Sequence, residues 1–392
     1  MTKSQAFPIL IAGGGIGGLT AALVLSRHGY RVCLIEQARE FKEIGAGIQL
    51  GPNAFKLFDR LGITDEISST AVFPESLLVM DSITAEEVTR IPLGEKFLGR
   101  FRYPYALIHR ADIHSVLLQA CRSSPLITLV TSQKVVRFED DGDHVVAHTE
   151  DGTSFEGAAL IGADGLWSTI RATVVGDGAP RVSGHIAYRA VLATEEVPLH
   201  LRIPSMTLWA GPRNHLVHYP LRGGELFNLV AVFHSDRYRE GWDSAGDPDE
   251  LKKRFQDVVP DVQTMLGKIE SWRMWVLCDR EPVKNWSHGR VTLLGDAAHP
   301  TLQYLAQGAC MAIEDAVVLA EEIDRAAGDY AKAFEAYQNR RYLRTGRVQL
   351  TARLYGEFFH AAGASREIRN QFLRERTAEE ARESVGWLYD GI

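Results

Sequence analysis

Hydrophobic and polar positions follow two different periods along this chain, and the change of period separates its parts. Ile9-Leu10-Ile11-Ala12 is a short apolar run closed by Pro8 and Gly13, the pattern of a strand buried on both faces. From Leu19 the apolar spacing turns helical through Leu19, Ala22, Leu23 and Ser26, and Gly29 supplies a stop. Arg31-Val32-Cys33-Leu34-Ile35-Glu36 then reads as a second strand. From Ser183 to about Trp275 the pattern is strand-like. It alternates around Met206-Thr207-Leu208-Trp209 and Leu226-Phe227-Asn228-Leu229-Val230-Ala231-Val232-Phe233, with turns at Gly211-Pro212 and Gly223-Gly224. The stretch from Pro74 to Phe101 is expected to add strands to that sheet, and Asp247-Pro248-Asp249-Glu250 to start a short helix ending near Val258-Val259-Pro260. Beyond Tyr330 the chain becomes helical and charged, with Arg340 and Arg341 expected on a solvated helix face. The apolar residues of the tail, Phe358, Phe359, Phe372 and Trp387, can pack on their own subunit or against a partner.

Composition narrows the classes of function. The 392 residues exceed the usual size of one domain, and 45% apolar with 24% charged residues is ordinary for a soluble enzyme. A net charge of −7 leaves no basic footprint for nucleic acid or anionic lipid. No apolar run reaches the ~18 residues needed to span a membrane, and the N-terminus runs straight into a strand, so a cytoplasmic protein is expected. Cys33, Cys121, Cys278 and Cys310 are scattered, which suggests neither a disulfide framework nor a metal site.

The first motif lies between the first predicted strand and helix, in Gly13-Gly14-Gly15-Ile16-Gly17-Gly18. Gly13 permits a tight turn, Gly15 lets backbone approach a pyrophosphate, and Gly18 allows close packing of helix on strand. The helix N-terminus offers free N–H groups and positive dipole to phosphates. Glu36, closing the second strand, can accept hydrogen bonds from a ribose diol and would repel a 2′-phosphate. This fits FAD or NAD and leaves the choice between them open.

Two later motifs narrow it. Gly162-Ala163-Asp164-Gly165, followed by Ser168 and Arg171, and Val291-Thr292-Leu293-Leu294-Gly295-Asp296-Ala297-Ala298-His299-Pro300 resemble the further FAD motifs of single-component flavoprotein aromatic hydroxylases. The likeness runs through nearly the whole chain, including Ile108-His109-Arg110-Ala111-Asp112, the segment from Gly45 to Asn53, and Glu314-Asp315-Ala316 at a helix start. It implies an α/β fold with a Rossmann-like FAD-binding domain in 1–73, 102–182 and 276–345. A substrate-domain sheet of the para-hydroxybenzoate hydroxylase type would occupy 74–101 and 183–275, with a helical segment over 346–392. It also implies tightly but non-covalently bound FAD, with Asp296 on the ribityl chain and the backbone at Gly47 and Ile48 along the isoalloxazine. Arg110 would lie near the flavin, with Gln119, Val135 and Asp164 also on the cofactor. Gly308 and Ala309 would open a helix aimed at the flavin pyrimidine edge, and His299 would pack structurally.

No second GxGxxG and no redox CxxxxC appear, which argues against a two-dinucleotide reductase. The resemblance implies that NADH docks transiently, reduces the flavin, and that O2 then supplies one oxygen atom to an activated ring.

Residues that should set the substrate lie in His215-Leu216-Val217-His218-Tyr219-Pro220. Period-two alternation puts His215, Val217 and Tyr219 on one face and Leu216 and His218 on the other. His215 and Tyr219 would pair a base with a phenolic donor, and an unperturbed histidine pKa near ~6.5 suits removal of a phenolic proton. His218 is expected to be an ordinary strand residue. Where the resembling family places a P-x-x-G stretch, this chain has Gln303-Tyr304-Leu305-Ala306. An amide at 303 resembles the 3-hydroxybenzoate 6-hydroxylases more than the salicylate 1-hydroxylases. The expected substrate is therefore a small aromatic acid, 3-hydroxybenzoate, hydroxylated para to its hydroxyl to give gentisate. Salicylate 1-hydroxylase and 6-hydroxynicotinate 3-monooxygenase are the neighbouring readings; a flavin oxidase or a non-catalytic FAD-fold protein are the distant ones. A homodimer is compatible with the sequence.

Overall fold

In the computed structural model, residues 7–42, 46–235 and 242–392 are described. Gly45, expected along the cofactor, lies outside them. The first apolar run forms β1 (Ile9–Ala12) at the centre of a six-stranded sheet. Its order is β18 (Ser287–His288), β19 (Val291–Leu293), β11 (Ala159–Gly162), β1, β2 (Val32–Ile35) and β7 (Ile127–Val130). All these pairings are parallel except β18 with β19. A parallel strand is covered on both faces, which is why these segments are continuous apolar runs. The helices α1 (Ile16–Arg27), α5 (Arg110–Arg122) and α9 (Gly308–Arg325) pack in this layer. A three-stranded antiparallel sheet of β8 (Val135–Asp140), β9 (Val145–Thr149) and β10 (Ser154–Gly157) accompanies it, with α2 (Pro52–Arg60), α3 (Thr64–Thr70) and α6 (Thr169–Val174).

The alternating region builds an eight-stranded sheet. Its order is β16 (Trp242–Ala245), β17 (Arg273–Asp279), β12 (Arg181–Ala193), β15 (Leu226–His234), β14 (Asn214–Leu221), β13 (Ser205–Gly211), β4 (Ser76–Asp81) and β5 (Glu87–Pro92). The early strands join through parallel pairing of β4 with β13. β12 begins at Arg181 and β17 runs to Asp279, so both strands cross the boundaries expected at 182 and 276. One face packs on α4 (Glu95–Phe101) and on residues of β6 and α9, and the other on α7 (Pro248–Arg254) and α8 (Pro260–Gly267). The two-stranded β3 (Gly47–Leu50) and β6 (Ala106–His109) form a small antiparallel ribbon, with β6 packing on β14.

Four expectations differ from the structure here. The helix begun by Asp247, whose carboxylate caps Asp249 and Glu250 N–H, ends at Arg254. Within the stretch read as strand-like, Pro260 opens the separate helix α8 with Val262, Met265 and Leu266 buried at helical spacing. The segment boundary expected at 346 falls inside α10 (Tyr330–Phe359), a continuous helix that carries the chain from the nucleotide layer to the substrate sheet. Arg341 is not on a solvated face: it is fully buried, paired with Glu314 at 2.7 Å and Asp315 at 2.6 Å, while Arg340 stays part-exposed on Glu321 and Glu322. A charge run on a helix does not reveal which member meets carboxylates from a neighbouring helix. α11 (Ala364–Arg374), α12 (Ala378–Glu383) and α13 (Gly386–Tyr389) close the chain, and Tyr389 packs on Phe97, Phe101 and Tyr105.

Candidate active site

The turn after β1 is built by contact rather than by side chains. Gly13 has φ +109°, and a Cβ there would stand 2.3 Å from the Ala163 carbonyl oxygen. A Cβ at Gly18 would stand 1.9 Å from the Gly13 carbonyl oxygen, so helix and turn touch only because both residues are glycine. Gly15 is the N-cap of α1 and offers no side-chain cap, which leaves the helix N–H groups available to an anion. Glu36 accepts from Gly14 N–H at 2.7 Å and from Ala38 N–H at 2.8 Å, which holds its carboxylate against the turn with lone pairs to spare.

The second part of the site joins β11 to β8. Asp164 accepts from Thr169 N–H at 2.9 Å, and the Thr169 hydroxyl donates to the Val135 carbonyl at 2.9 Å. The other Asp164 oxygen is buried without a hydrogen-bond partner among the described residues, and burial raises its carboxyl above the ordinary value. An orphaned buried acceptor here fits a hydroxylated or N–H-bearing ligand.

Asp296 follows the strand end β19 and is the exposed residue of an otherwise buried turn, and its carboxylate oxygen lies 3.8 Å from where a Cβ at Gly308 would stand. Gly308 and Ala309 open α9, whose N-cap Gln307 makes no side-chain cap. The turn is anchored from below. Asp315 accepts from Gly295 N–H at 3.0 Å and meets His299 at 2.6 Å and Arg341 at 2.6 Å. Burial would raise the Asp315 pKa, but His299 and Arg341 prevail and bring it down to about 2. His299 is thus a structural partner, as expected, and Glu314-Asp315 sit in the second turn of α9 rather than at its start.

The substrate sheet supplies the third wall. Register places Tyr219, Asn228 and Val191 in one row, Val217, Val230 and Arg189 in the next, and His215, Val232 and Ala187 in the third. Asn228 accepts from Gly47 N–H at 2.9 Å, and a Cβ at Gly47 would stand 2.5 Å from the Tyr219 ring. Gly47 and Ile48 are thereby held against the sheet through β3. Tyr105 donates to Gln49 on the same ribbon, and burial raises the Tyr219 phenol above its ordinary pKa. Gln303 accepts a hydrogen bond from Arg189, whose guanidinium stacks over Trp275 at 5.3 Å.

His215 differs from expectation in its proton chemistry. Burial, then the neighbouring His185, push its pKa down to about 3 rather than leaving it near the ordinary value. Its Nδ1 lies 2.7 Å from Nε2 of His360, and the cluster continues to His185 and His234; Tyr304 reaches Nδ1 of His185. Nitrogens of His185, His234 and His360 all lie within 4.8 Å of one another.

Residues 6–348 match the family model described as FAD binding domain. The chain belongs to this FAD-binding family. The uncapped N-termini of α1 and α9, the free Asp164 oxygen and the Glu36 carboxylate fit an extended FAD. The chain is 47% identical to a 3-hydroxybenzoate 6-hydroxylase of Polaromonas naphthalenivorans, covering 97% of this chain and 95% of the relative. It is also 47% identical to 3-hydroxybenzoate 6-hydroxylase 1 of Aquipseudomonas alcaligenes, covering 97% of both. Its fold superposes on Klebsiella pneumoniae HpxO complexed with FAD and uric acid with TM-score 0.86 at 28% identity, over 99% of this chain and 98% of the other.

The structure brings His215 and Tyr219 onto one face and sets Gln303 beside Arg189 of that same face. Arg110 opens α5 directly after the ribbon strand, its N–H on the Ala46 carbonyl. Gln119 lies exposed nine residues further, ~13 Å along the helix at 1.5 Å per residue. Sequence reasoning missed Arg189, Tyr105 and His360. Arg189 carried a signal, since a lone arginine on a strand between Tyr188 and Ala190 is unusual; the other two carried none.

Proposed function

We propose that this chain is an FAD-dependent, NADH-consuming monooxygenase that hydroxylates 3-hydroxybenzoate para to its hydroxyl, giving gentisate. The observation that carries the reading is the shared face of His215, Tyr219 and Arg189, with Gln303 bound to that arginine at the mouth of the α9 helix. The similarity to two 3-hydroxybenzoate 6-hydroxylases supports the choice of ring. Bound FAD, reduced by NADH, supplies the capacity to activate O2 and transfer one oxygen atom.

The remaining work belongs to the chain. Arg189 provides the cation for the substrate carboxylate, and the Gln303 amide fixes that guanidinium while holding the ring in line. Tyr219, kept protonated by burial, donates to the substrate hydroxyl. His215 is neutral, and with Nδ1 committed to His360 its Nε2 accepts the phenolic proton. A phenolate forming beside the ring favours the protonated imidazole, which offsets the lowering that burial imposes on His215. Deprotonation places electron density on the carbon para to the oxygen, where an electrophilic oxygen atom adds. The buried walls exclude water from the transfer. With FAD bound, Asp296 would hold the ribityl chain, and the N-termini of α1 and α9 would hold the pyrophosphate and the pyrimidine edge.

Among the described residues no helix is long and apolar enough to cross a membrane. We place the enzyme in the cytoplasm. The exposed Leu343, Leu350 and Leu354 of α10 support a homodimer, which sedimentation would test.

NADH oxidation in air is the decisive assay, run with 3-hydroxybenzoate, salicylate, 4-hydroxybenzoate and 6-hydroxynicotinate and with products identified. Gentisate formed in step with NADH only with 3-hydroxybenzoate is the expected result. Catechol from salicylate, or peroxide formed stoichiometrically with every acid, would replace this reading by a salicylate hydroxylase or an oxidase.

A further inference from the structure

The end of the substrate sheet beyond His215 gathers groups that the hydroxylation does not use. His185 on β12 and His234 on β15 are direct cross-strand partners, with ring centroids 4.2 Å apart. The end of α10 brings two more ligating side chains. Glu357 and His360 are three residues apart, so they share one side of the helix end. The His360 ring stands 4.8 Å from His185 and 5.0 Å from His234, centroid to centroid, and Glu357 Oε1 lies 3.7 Å from His185 Nε2. Backbone fixes this meeting. Arg213 N–H donates to the His360 carbonyl at 3.0 Å, and the Arg213 carbonyl accepts from His234 N–H at 3.1 Å.

Three imidazoles and a carboxylate are a ligand set for a four-coordinate transition ion. Burial lowers the His185 pKa to about 4 and His360 well below its ordinary value, so both rings are in the neutral form that binds metal. The outer hydrogen bonds that orient a ligating histidine are also in place. His185 Nδ1 meets the Tyr304 hydroxyl at 2.5 Å and His360 Nε2 meets His215 Nδ1 at 2.7 Å, which leaves His185 Nε2 and His360 Nδ1 for an ion. His360 Nδ1 has no hydrogen-bond partner among the described residues, although the residue is only 4% exposed. One nitrogen from each of the three rings lies within 4.8 Å of the others. Zinc–nitrogen bonds of ~2.0–2.1 Å set ligand nitrogens about 3.4 Å apart in a tetrahedron, so the widest pair closes by at most ~1.4 Å as the ion enters. His234 is half-buried and Glu357 exposed, so entry is from solvent. Arg369, a cation that bears on His360, is committed to Asp81 and Asn370.

We propose that His185, His234, His360 and Glu357 form a site for a single divalent transition ion of the zinc class. Its occupation reaches His215, a consequence that rests on the hydroxylation proposed above. An ion on His360 Nδ1 leaves the proton of that ring on Nε2, which then donates to His215 Nδ1. The His215 proton must then sit on Nε2, the atom that has to accept from the substrate. An occupied site therefore suppresses ring activation while flavin reduction continues.

The test is calorimetric titration of Zn²⁺ into chelator-treated, FAD-loaded enzyme without NADH or aromatic acid, with Co²⁺ absorption beyond the flavin bands reporting coordination number. One ion per chain and a four-coordinate Co²⁺ spectrum are expected. His234→Gln and Glu357→Gln should each weaken binding at least about tenfold with FAD content unchanged. His200→Gln, at the exposed His200–Asp261 pair, should not alter it. If His234→Gln does not fold, Glu357→Gln, at an exposed position, decides. Zn²⁺ added during turnover should lower the ratio of gentisate to NADH consumed, and Glu357→Gln should restore it. No stoichiometric binding, a six-coordinate spectrum, equal affinity in the folded variants, or loss of binding in His200→Gln (an adventitious ion only) would overturn the site. Binding with unchanged coupling would overturn the link to His215, whereas absence of gentisate without Zn²⁺ would count against the proposed substrate.

Discussion

The nucleotide turn and the substrate sheet solve the same problem, holding a ligand in place, by opposite means. Around Gly13 to Gly18 the work is done by backbone, with side chains removed so that strand, helix and β11 can touch. On the substrate sheet it is done by side chains from strands far apart in sequence, arranged in rows across β12, β15 and β14. A backbone site tolerates no added atoms and announces itself by spacing. A side-chain site depends on register, and a one-residue slip would exchange His215 for Leu216 at the reacting face. The difference teaches that substitutions in the two regions should fail in different ways: loss of cofactor in one, loss of coupling in the other.

The largest effect is expected at His215. His215→Ala should lower coupled turnover by ~10²–10⁴-fold with FAD content intact, as for a positioned base, whereas His218→Ala on the far face should leave turnover near wild type. Collapse at His218 with normal turnover at His215 would reverse the assignment of faces. Arg341→Leu tests the anchor beneath the cofactor turn. Leaving Glu314 and Asp315 buried without it should cost ~3–5 kcal/mol, seen in denaturant midpoints of the FAD-loaded protein; a change within error would make the pair dispensable.

Gln303→Ala should let NADH reduce the flavin while oxygen transfer falls by up to ~10²-fold, because a misplacement of ~1 Å suffices. The ratio of gentisate to NADH consumed would drop and peroxide would rise; an unchanged ratio would reduce Gln303 to packing. Asp296→Ala belongs to the other region and should weaken FAD by ~1.5–3 kcal/mol through loss of one charge-assisted hydrogen bond. Unaltered FAD affinity by equilibrium titration would remove Asp296 from the cofactor site.

Much of this was legible before the fold was known. The apolar run Ile9–Ala12, the glycines after it and Glu36 declare a mononucleotide unit because strand burial, turn geometry and ribose recognition are all local in sequence. Alternation alone put His215 and Tyr219 on one face, because side-chain direction along a strand has period two. Local pattern carries no information about what arrives from elsewhere, and the tertiary structure decided the rest. His360, 145 residues from His215, meets it only because α10 runs unbroken to the substrate sheet. There Gly356 lets the helix approach so closely that a Cβ would stand 2.8 Å from the Tyr304 ring. Arg341 looks solvated in sequence yet is buried, since two carboxylates on α9 wait for it. The ordinary pKa assumed for His215 fell to about 3 for the same reason: desolvation by distant neighbours, a property of packing that no spacing of residues records.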